Sequence, residues 1–365
     1  DVYKRQVEDI QKSGDTALFN YAKKFDGYDV NISNLLVTPM ERETGLEQID
    51  EDYFRILRRT KSQIEEFHKH QLENSWNIFK ENGVIMGQIA RPLERVALYV
   101  PGGTAAYPST VIMNAVPALL AGVKEFIMIT PVKADGKVNP NILAAAEVCG
   151  IETIYKVGGA QGVAAVAYGT ESIPKVDKIV GLGNIFVATA KKICYGVVDI
   201  DMIAGPSEVL VIADKTANPK YIAADLMAQA EHDKLASAIL VTTSEKLVQQ
   251  VDEELNRQVQ NLERREIIES SIRNYGGAIV VKNIDEAFDV SNQLAPEHLE
   301  VLTSEPLTQL TKIKNAGSIF IGEYTPEPLG DYMSGSNHVL PTGGTAKFYS
   351  GLGVYNFLKY LTSSY

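Results

Sequence analysis

The spacing of apolar residues changes near the end of the first hundred positions. Residues from about 5 to 80 carry apolar side chains at helical intervals, and Gly27 marks a helix end. A long amphipathic pattern covers residues 50–80, and we expect its two histidines, His68 and His70, to lie on the exposed surface. The chain is therefore predicted to begin with a helical N-terminal region.

Beyond Arg95, short apolar runs alternate with longer helical patterns. Runs such as RVALYV and KEFIMIT predict strands, and segments such as PNILAAAEVCG predict the helices between them. The series ends with IDMIAGPSEVLVIAD, which predicts two strands about a GPS turn. Strands that alternate with helices indicate βαβ units, whose parallel strands end at one edge of a sheet.

A second series of the same kind begins at Pro219. Its predicted strands are ASAILVTT, GGAIVV, LEVLT and SIFIG, and helical segments separate them. Residues 322–353 are rich in Gly, Pro, Ser, Asn and Thr and are predicted to form a loop, and long loops in compact proteins are usually functional. The expected fold class is α/β, with two Rossmann-like parallel-sheet domains and a helical N-terminal region.

Composition and charge exclude several kinds of partner. The 365 residues carry a net charge of −11 at pH 7 and show no local basic patch, so nucleic-acid binding is not expected. No apolar run reaches the roughly 18 residues that span a bilayer, and no signal peptide is visible. We therefore expect a cytoplasmic protein without a membrane partner. Cys149 and Cys194 form no CxxC motif and are predicted to be small core residues.

Three junctions that contain glycine join a predicted strand to a predicted helix. They are VPGG at 100–103, VGGAQ at 157–161 and GLGN at 181–184. Glycine allows a ligand to approach the backbone closely, and a helix N-terminus favours phosphate. None of the three completes a GxGxxG fingerprint, because Phe186 occupies the last glycine position of the third. A nucleotide site and ordinary turn chemistry both stay open on this pattern.

The helix predicted around Gln229 carries a carboxamide on its apolar face. Ile222, Leu226 and Gln229 share that face, so the Gln229 side chain is expected to point inward, where it needs hydrogen-bond partners. His232 follows at i+3, a spacing at which two side chains can bind one metal ion. The spacing leaves two alternatives, a metal site or a hydrogen-bonded Gln229 beside a surface His232.

Two further segments place ionisable side chains in bends. Glu297 and His298 follow Pro296, and in a bend both could face a cleft, where a carboxylate activates water and an imidazole accepts protons. Asp331 and His338 lie in the loop rich in Gly and Ser, a kind of segment that often presents side chains to ligands. The pair at 297 and 298 would suit a redox or a hydrolytic site.

Seven stretches, spread in order from about residue 88 to the C-terminus, together resemble the histidinol dehydrogenase family. They read ALYVPGG, VGGAQGVAAVAYGTESIPKVDKIVG, DMIAGPSEVLVIAD, AADLMAQAEHD, APEHLEV, NAGSIFIGEYTPEPLGDYMSGSNHVLPTGGTA and GLGVYNFLK. The resemblance implies oxidation of L-histidinol to L-histidine in two NAD-dependent steps through an aldehyde held in the site. This reaction is the last step of histidine biosynthesis.

The resemblance also implies roles for individual residues. Gln229, His232 and Asp331 resemble three zinc ligands, and in the family the zinc grips the imidazole and amino nitrogens of the substrate. Glu297 resembles the residue that activates water for attack on the bound aldehyde. His298 resembles the general base that accepts the alcohol proton.

Substrate and cofactor contacts follow from the same resemblance. The residues that resemble substrate contacts are Ser207, Gln229, His232, Glu327, Asp331 and His338. The residues that resemble NAD contacts, one at each glycine junction, are Tyr99, Gln161 and Asn184. The implied cofactors are Zn²⁺ and NAD. Besides L-histidinol, the implied partner is a second copy of the chain in a homodimer with shared active sites.

The expected domain boundaries follow these assignments. Residues 1–98 and 209–345 would form a first α/β domain with the zinc-ligand and catalytic residues, and residues 99–208 a second one with the NAD-binding loops. Residues 346–365 would begin a C-terminal tail that is truncated. In the family this tail crosses to the partner subunit with a zinc-binding His and a substrate-binding Glu, whereas no His follows His338 here.

One cofactor loop departs from the family pattern, and two other functions stay open. The loop reads GLGN where the family usually has GPGN, and Leu182 lacks the rigidity of proline, so NAD affinity would be altered. The first alternative is a zinc-dependent hydrolase that uses Glu297, which the glycine junctions disfavour. The second is a scaffold protein that kept the fold and lost catalysis.

Overall fold

The computed structural model describes residues 2–102, 107–332 and 334–365, without the side chains of Val2, Asp331 and Tyr332. Contacts within the chain group it into two compact units. The first unit comprises Asp1–Ile203, Tyr332–Val339 and Leu352–Tyr365, and the second comprises Ala204–Asp331 and Leu340–Gly351. No helix in the described ranges combines the length and the apolar character that a membrane crossing requires.

Three helices open the first unit, as the amphipathic pattern predicts. They are α1 (Val2–Phe25), α2 (Pro39–Leu46) and α3 (Glu51–His68). The buried side chains of α3 recur every three or four positions and include Ile64 and His68. The expectation that His68 is exposed is wrong, because it lies one turn after Ile64 on the buried face. Its Nδ1 donates to Oε1 of Gln71 at 2.8 Å, and burial lowers the pKa of its imidazole.

The helical pattern predicted as far as residue 80 ends at His68, so the last part of that prediction is wrong. Residues 76–92 form an antiparallel hairpin of β1 (Trp76–Phe79) and β2 (Ile85–Pro92). Its turn contains Asn82 and Gly83, and Gly83 adopts a φ of 85°. An Asn-Gly pair between two strands is a strong local signal for a hairpin, and it outweighs the helical spacing of the apolar residues here.

A parallel sheet forms the centre of the first unit. Its strands are β3 (Arg95–Tyr99), β4 (Glu125–Ile129), β5 (Thr153–Tyr155), β6 (Lys178–Val180) and β7 (Asp199–Ile200), in the order β5-β4-β3-β6-β7. The helices between them are α4 (Pro108–Ala121), α5 (Pro140–Cys149), α6 (Gly159–Tyr168) and α7 (Ile185–Cys194). Val96 and Leu98 of β3 enter one core, and Ala97 and Tyr99 enter the other. Burial on both faces explains why the strand is a continuous apolar run.

The N-terminal helix packs against α6 and α7, two of the helices between the strands of this sheet. Val7, Ile10 and Leu18 of α1 share a core with Val163 and other residues of α6. Residues 1–98 therefore group with the sheet of residues 95–203, and this grouping differs from the sequence-based boundaries, which place residues 1–98 with 209–345. The apolar face of α1 is covered within the first unit, since burying that face is what stabilises an amphipathic helix.

A second parallel sheet forms the centre of the second unit. Its strands are β8 (Glu208–Ala213), β9 (Ser237–Thr242), β10 (Gly276–Val280), β11 (His298–Leu302) and β12 (Ser318–Ile321), in the order β10-β9-β8-β11-β12. The helices are α8 (Pro219–Ala230), α9 (Glu245–Gln258), α10 (Arg265–Tyr275), α11 (Ile284–Leu294) and α12 (Glu327–Tyr332). The two five-stranded parallel sheets in the described residues confirm the predicted α/β fold class.

Several local features of the two units differ from the sequence predictions. The strands β7 and β8, expected about one GPS turn, belong to different sheets. Helix α10 was not predicted, and residues 322–353, predicted as a loop, contain α12. The segment predicted as a helix after β11 is a 3₁₀ helix. The described 3₁₀ helices are Lys69–Gln71, Val259–Asn261, Pro306–Lys312, Thr345–Lys347 and Val354–Phe357.

The last described strand, β13 (Leu358–Ser364), was not predicted either. It pairs antiparallel with β2, so that Leu358 lies opposite Pro92 and Ser364 opposite Met86. Together β1, β2 and β13 form a three-stranded sheet with exposed apolar side chains that include Phe79.

The two cysteines are buried, free thiols in the cores of the first unit. Burial raises the pKa of both Cys149 and Cys194 to about 12. A thiol with such a pKa remains protonated at neutral pH and is a poor nucleophile. The prediction that both are core residues is confirmed.

A buried ion pair fixes the glycine junction at residue 181. Lys191 of α7 pairs with Asp201, and both side chains are almost fully buried. Lys191 Nζ also donates to the Gly181 carbonyl at 3.0 Å, while Asp201 Oδ2 accepts the Gly181 N–H at 2.7 Å. Gly181 has a φ of 113°, and a Cβ there would lie 2.2 Å from the carbonyl oxygen of Tyr99. The junction therefore requires glycine and is held from both sides.

We predict that Lys191→Met strongly destabilises the protein. The substitution leaves Asp201 buried without its counter-charge, which costs about 3–5 kcal/mol of unfolding free energy. Chemical denaturation of both proteins measures the difference. The double variant Lys191→Met/Asp201→Asn should recover part of the loss, because it removes the uncompensated charge. A loss below about 1 kcal/mol for the single variant would mean that the pair contributes no more than a surface pair does.

Candidate active site

A bend between α11 and β11 introduces Glu297 and His298. Ala295 ends α11 with a φ of 52°, a left-handed conformation that a residue with a Cβ seldom adopts. Pro296 follows, and the carbonyl of Glu297 accepts the N–H of Ser318 on the neighbouring strand at 2.8 Å. Unusual backbone conformations cluster at functional sites, where surrounding contacts hold them.

The Glu297 carboxyl is buried and held by the start of β8. Its Oε2 accepts the backbone N–H of Glu208 at 2.9 Å, and the Ser207 side chain also hydrogen-bonds to it. The group is 3% exposed, and this burial raises the pKa of Glu297 well above its usual value, although the hydrogen bonds oppose the shift. Glu297 therefore holds its proton more tightly than an exposed glutamate does.

The same residue of β8 orients His298. Nδ1 of His298 lies 3.0 Å from the carbonyl oxygen of Glu208. A carbonyl only accepts, so Nδ1 carries the proton and Nε2 is the basic nitrogen of the neutral ring. Nε2 lies 3.8 Å from Oε1 of Glu327, and Nδ1 lies 3.6 Å from Oε2 of Glu297. A base and a carboxyl group thus stand side by side in a buried site.

Two further carboxyl groups, Asp225 and Glu300, extend this cluster, and sequence reasoning missed both. Glu300 of β11 is 1% exposed, and its Oε1 accepts the backbone N–H of Glu327 at 3.0 Å. Its carboxyl group also hydrogen-bonds to Asp225 of α8. Burial, followed by the charge of Asp225, raises the pKa of Glu300 to about 9. The available sequence signal was a glutamate flanked by apolar residues in the run LEVL of this strand.

Gln229 points into the unit, as its position on the apolar face of α8 predicts. Its side chain is fully buried, and neither Oε1 nor Nε2 has a hydrogen-bond partner in the described part of the chain. Burying a carboxamide without partners costs about 1–3 kcal/mol. Such an orphaned group indicates a position where an additional molecule or ion would bind.

His232 lies just beyond the end of α8 rather than on the helix itself. The helix ends at Ala230, and the N–H of His232 donates to the carbonyl of Gln229 at 3.2 Å. The residue keeps access to solvent, yet nearby protein atoms desolvate the imidazole, and this desolvation lowers the pKa of His232. A neutral imidazole is the form that binds a metal ion.

The side chain of Asp331 lies outside the described residues, although its backbone belongs to α12, one turn after Glu327. Among the described side chains, no three His, Cys, Asp or Glu residues cluster as a metal site would require. Gln229, a glutamine, does not count toward a cluster of these four residue types. The contacts of the described residues bring together Ser207, Glu297, His298 and Glu327.

Tyr99 and Gln161 lie together in the first unit, around a carboxyl group that sequence reasoning missed. The Tyr99 hydroxyl accepts the N–H of Gly159 at the start of α6, at 3.2 Å. Nε2 of Gln161 donates to Oδ2 of Asp26 at 3.1 Å. Burial raises the pKa of Tyr99 to about 12 and that of Asp26 to about 6. The end of β3 and the start of α6 therefore form one buried polar cluster.

Asn184 and His338, the other two predicted ligand-binding residues of this unit, lie in separate surroundings. Asn184 caps α7, because its Oδ1 accepts the N–H groups of Phe186 and Val187 at 3.1 and 3.2 Å. His338 is half-buried, and Asn337 anchors its segment by donating from Nδ2 to the carbonyl of Met113 at 2.7 Å. The cap gives Asn184 a structural function whether or not a cofactor binds.

Comparisons with known proteins agree on one family. The histidinol dehydrogenase family model matches residues 2–365. Histidinol dehydrogenase from Lactococcus lactis subsp. lactis (strain IL1403) is 96% identical over 359 residues, which cover 98% of this chain and 83% of that protein. The Clostridium acetobutylicum protein of the same name is 57% identical, over 97% of this chain and 81% of its own length. The crystal structure of histidinol dehydrogenase from Elizabethkingia anophelis has a TM-score of 0.95 and 41% identity, over 100% of this chain and 83% of that one.

The raised pKa of Glu300 predicts a pH-dependent effect of Glu300→Gln on stability. The folded protein binds the Glu300 proton up to about pH 9, whereas the unfolded chain releases it near the ordinary value of 4.5. As pH rises between these values, wild type should lose unfolding free energy relative to the variant, by at most about 1.4 kcal/mol for each pH unit.

Denaturant titrations of both proteins across this pH window measure the effect. Glu253, an exposed glutamate of α9, offers the matched control Glu253→Gln. A difference between wild type and Glu300→Gln that does not change with pH would contradict the prediction.

Proposed function

Because the chain belongs to the histidinol dehydrogenase family, we propose that it oxidises L-histidinol to L-histidine in two NAD-dependent steps through an enzyme-bound aldehyde. The observation that carries the proposal is the buried pair of Glu297 and His298, a carboxyl group beside an imidazole whose Nε2 is basic. The imidazole of His298 suits the removal of a hydroxyl proton, and the carboxyl group of Glu297 suits the activation of water. The two oxidations require both functions.

His298 is the proposed general base of the oxidation. Hydride can leave the carbinol carbon only as the hydroxyl proton is removed, and Nε2 is the nitrogen that can accept this proton. The hydrogen bond from Nδ1 to the Glu208 carbonyl keeps the ring in this tautomer and orientation. Glu327, 3.8 Å from Nε2, would stabilise the imidazolium that results.

Glu297 is the proposed group that activates water for the second oxidation. The aldehyde must first add water, and a carboxylate that removes a proton from this water promotes the addition. Because burial raises the pKa of Glu297, its carboxylate form becomes more populated as pH rises. The second step should therefore be favoured by alkaline conditions.

NAD, when bound, accepts the hydride, and we place its contacts at Tyr99, Gln161 and Asn184. The first two residues stand at the end of β3 and the start of α6, where parallel-sheet folds commonly bind nucleotides. The N-terminus of α6 also provides backbone N–H groups and a positive dipole for phosphate. The glycine at 181, held by Lys191 and Asp201, belongs to the same proposed cofactor region.

Zinc is the second proposed cofactor, with Gln229, His232 and Asp331 as its ligands. The orphaned carboxamide of Gln229 and the lowered pKa of His232 fit such a role, because both groups present neutral donor atoms. A bound zinc ion would orient the substrate through its nitrogen atoms. Ser207, Glu327 and the His338 segment are the proposed additional substrate contacts.

We further propose a homodimer with shared active sites, located in the cytoplasm as suits an enzyme of amino-acid biosynthesis. The exposed apolar side chains of the sheet formed by β1, β2 and β13 support an interface between two copies. They include Trp76, Ile78, Phe79, Met86, Tyr360 and Leu361.

The proposed function predicts the formation of two NADH molecules for each L-histidinol consumed. The purified protein, loaded with zinc, is mixed with NAD and L-histidinol, and NADH fluorescence is followed to completion. Zinc content, measured by elemental analysis, should fall in Gln229→Ala relative to wild type. A wild-type protein that binds zinc and NAD but forms no NADH would instead be a family member that acts as a scaffold.

Glu297→Gln should separate the two oxidations. The amide cannot take a proton from water, so the second hydride transfer should slow by about 10²–10⁴-fold, whereas the first should be largely spared. Rapid-mixing experiments with L-histidinol and with the aldehyde measure each step by its NADH signal. Equal loss of both steps would contradict the role proposed for Glu297.

A further inference from the structure

Glu300 is buried and Asp225 is half-buried in the second unit, and neither has a part in the proposed chemistry. Glu300 lies two residues after His298 on β11, so both side chains project from the same face of the strand. Asp225 lies on α8, one turn before Gln229, so these two side chains lie on neighbouring positions of one helix face. The pair therefore stands between the strand that carries the proposed base and the helix that carries a proposed zinc ligand.

Two contacts connect these elements. Oε1 of Glu300 accepts the backbone N–H of Glu327, the first residue of α12, at 3.0 Å. The Glu300 carboxyl also hydrogen-bonds to the Asp225 carboxyl. Two carboxyl groups can form such a bond only when one of them carries a proton. Burial and the charge of Asp225 make Glu300 the group that keeps it, with a pKa of about 9.

We infer that the Asp225–Glu300 pair positions the active site: through one shared proton it joins α8 to β11, and through the Glu327 N–H it fixes the start of α12. Asp225 and Glu300 are positioning residues, since neither is placed in contact with the substrate. The reaction affected is the one proposed above, so this inference rests on the proposed function. The fixed start of α12 holds the Glu327 carboxylate 3.8 Å from Nε2 of His298.

A purely stabilising pair is the competing explanation, and the chemistry of the two groups argues against it. A buried ionisable pair seldom stabilises a fold more than apolar residues of the same volume would. Here the pair also ends on the backbone of Glu327, next to the proposed base. An apolar replacement could fill the space but could not hold that N–H group.

Replacement of Glu300 by Gln and by Leu distinguishes these explanations. Gln keeps an oxygen that accepts the Glu327 N–H and adds an amide N–H that can donate to Asp225, so it imitates the protonated acid. Leu has a similar size and makes neither bond. We expect kcat of Glu300→Gln to stay within a few-fold of wild type and kcat of Glu300→Leu to fall about 10–100-fold.

Further measurements on the variants separate positioning from general destabilisation. KM for NAD should be unchanged in Glu300→Leu, because the proposed NAD contacts lie in the first unit. Asp225→Leu should lower kcat in the same way, and the double variant should lose little more than either single variant, because the two residues act as one unit. A Glu300→Leu enzyme with wild-type kcat, or Gln as damaging as Leu, would overturn the inference.

The shared proton can be tested without turnover. Burial also raises the pKa of Glu297, which can contribute a carbonyl stretch common to both proteins, so wild type and Glu300→Gln are compared by infrared difference spectroscopy at neutral pH. The difference should contain one carbonyl stretch of a protonated carboxylic acid that is present in wild type and lost in the variant. Persistence of that band in the variant would overturn the assignment of the proton to Glu300. If wild type forms no NADH while the band is lost in the variant, the proposed function fails and the carboxyl pair stands. If wild type forms NADH normally while the band persists in the variant, the proposed function stands and the assignment of the proton to Glu300 fails.

Discussion

One peptide segment at the start of β8 holds both proposed reactive groups. The N–H of Glu208 binds the Glu297 carboxyl, and the C=O of the same residue accepts the proton on Nδ1 of His298. Glu208 is the first residue of its strand, and the pairing of β8 with β11 begins at the next residue, where Val209 lies opposite His298. The register of two parallel strands thereby fixes the hydrogen bond of one side chain and the tautomer of the other.

Burial has a chemical consequence at this site, because several carboxyl groups lie within one unit. Desolvation is the largest cause of the raised pKa values of Glu208, Asp225, Glu297 and Glu300. Such groups avoid the cost of an unpaired buried charge by keeping a proton or by accepting backbone N–H bonds. Each of the four therefore depends on a nearby donor, and the geometry of the site depends on where the protons reside.

The sequence predicted the parts of the fold that depend on local pattern. Continuous apolar runs identified the buried strands of both sheets, and the helical face shared with Leu226 placed Gln229 inside. The sequence pattern could not predict contacts between distant segments. Spacing alone could not pair Glu300 with Asp225 or Gln161 with Asp26, because each pair joins elements that only the tertiary fold brings together. His68 was predicted to be exposed because its neighbours in sequence are polar, although its own position lies on the buried face of α3.

The side chains of the predicted ligand-binding residues differ in how many hydrogen bonds they form within the protein itself. Asn184 bonds to two N–H groups of α7, and Gln161 donates to Asp26, so both side chains have partners before any cofactor arrives. Gln229 is the contrary case, with a fully buried carboxamide and no hydrogen bond among the described residues. The cost of that arrangement, about 1–3 kcal/mol, would be recovered only when a ligand binds. The energetic argument for a bound ion is therefore stronger at Gln229 than the argument for a cofactor is at Asn184 or Gln161.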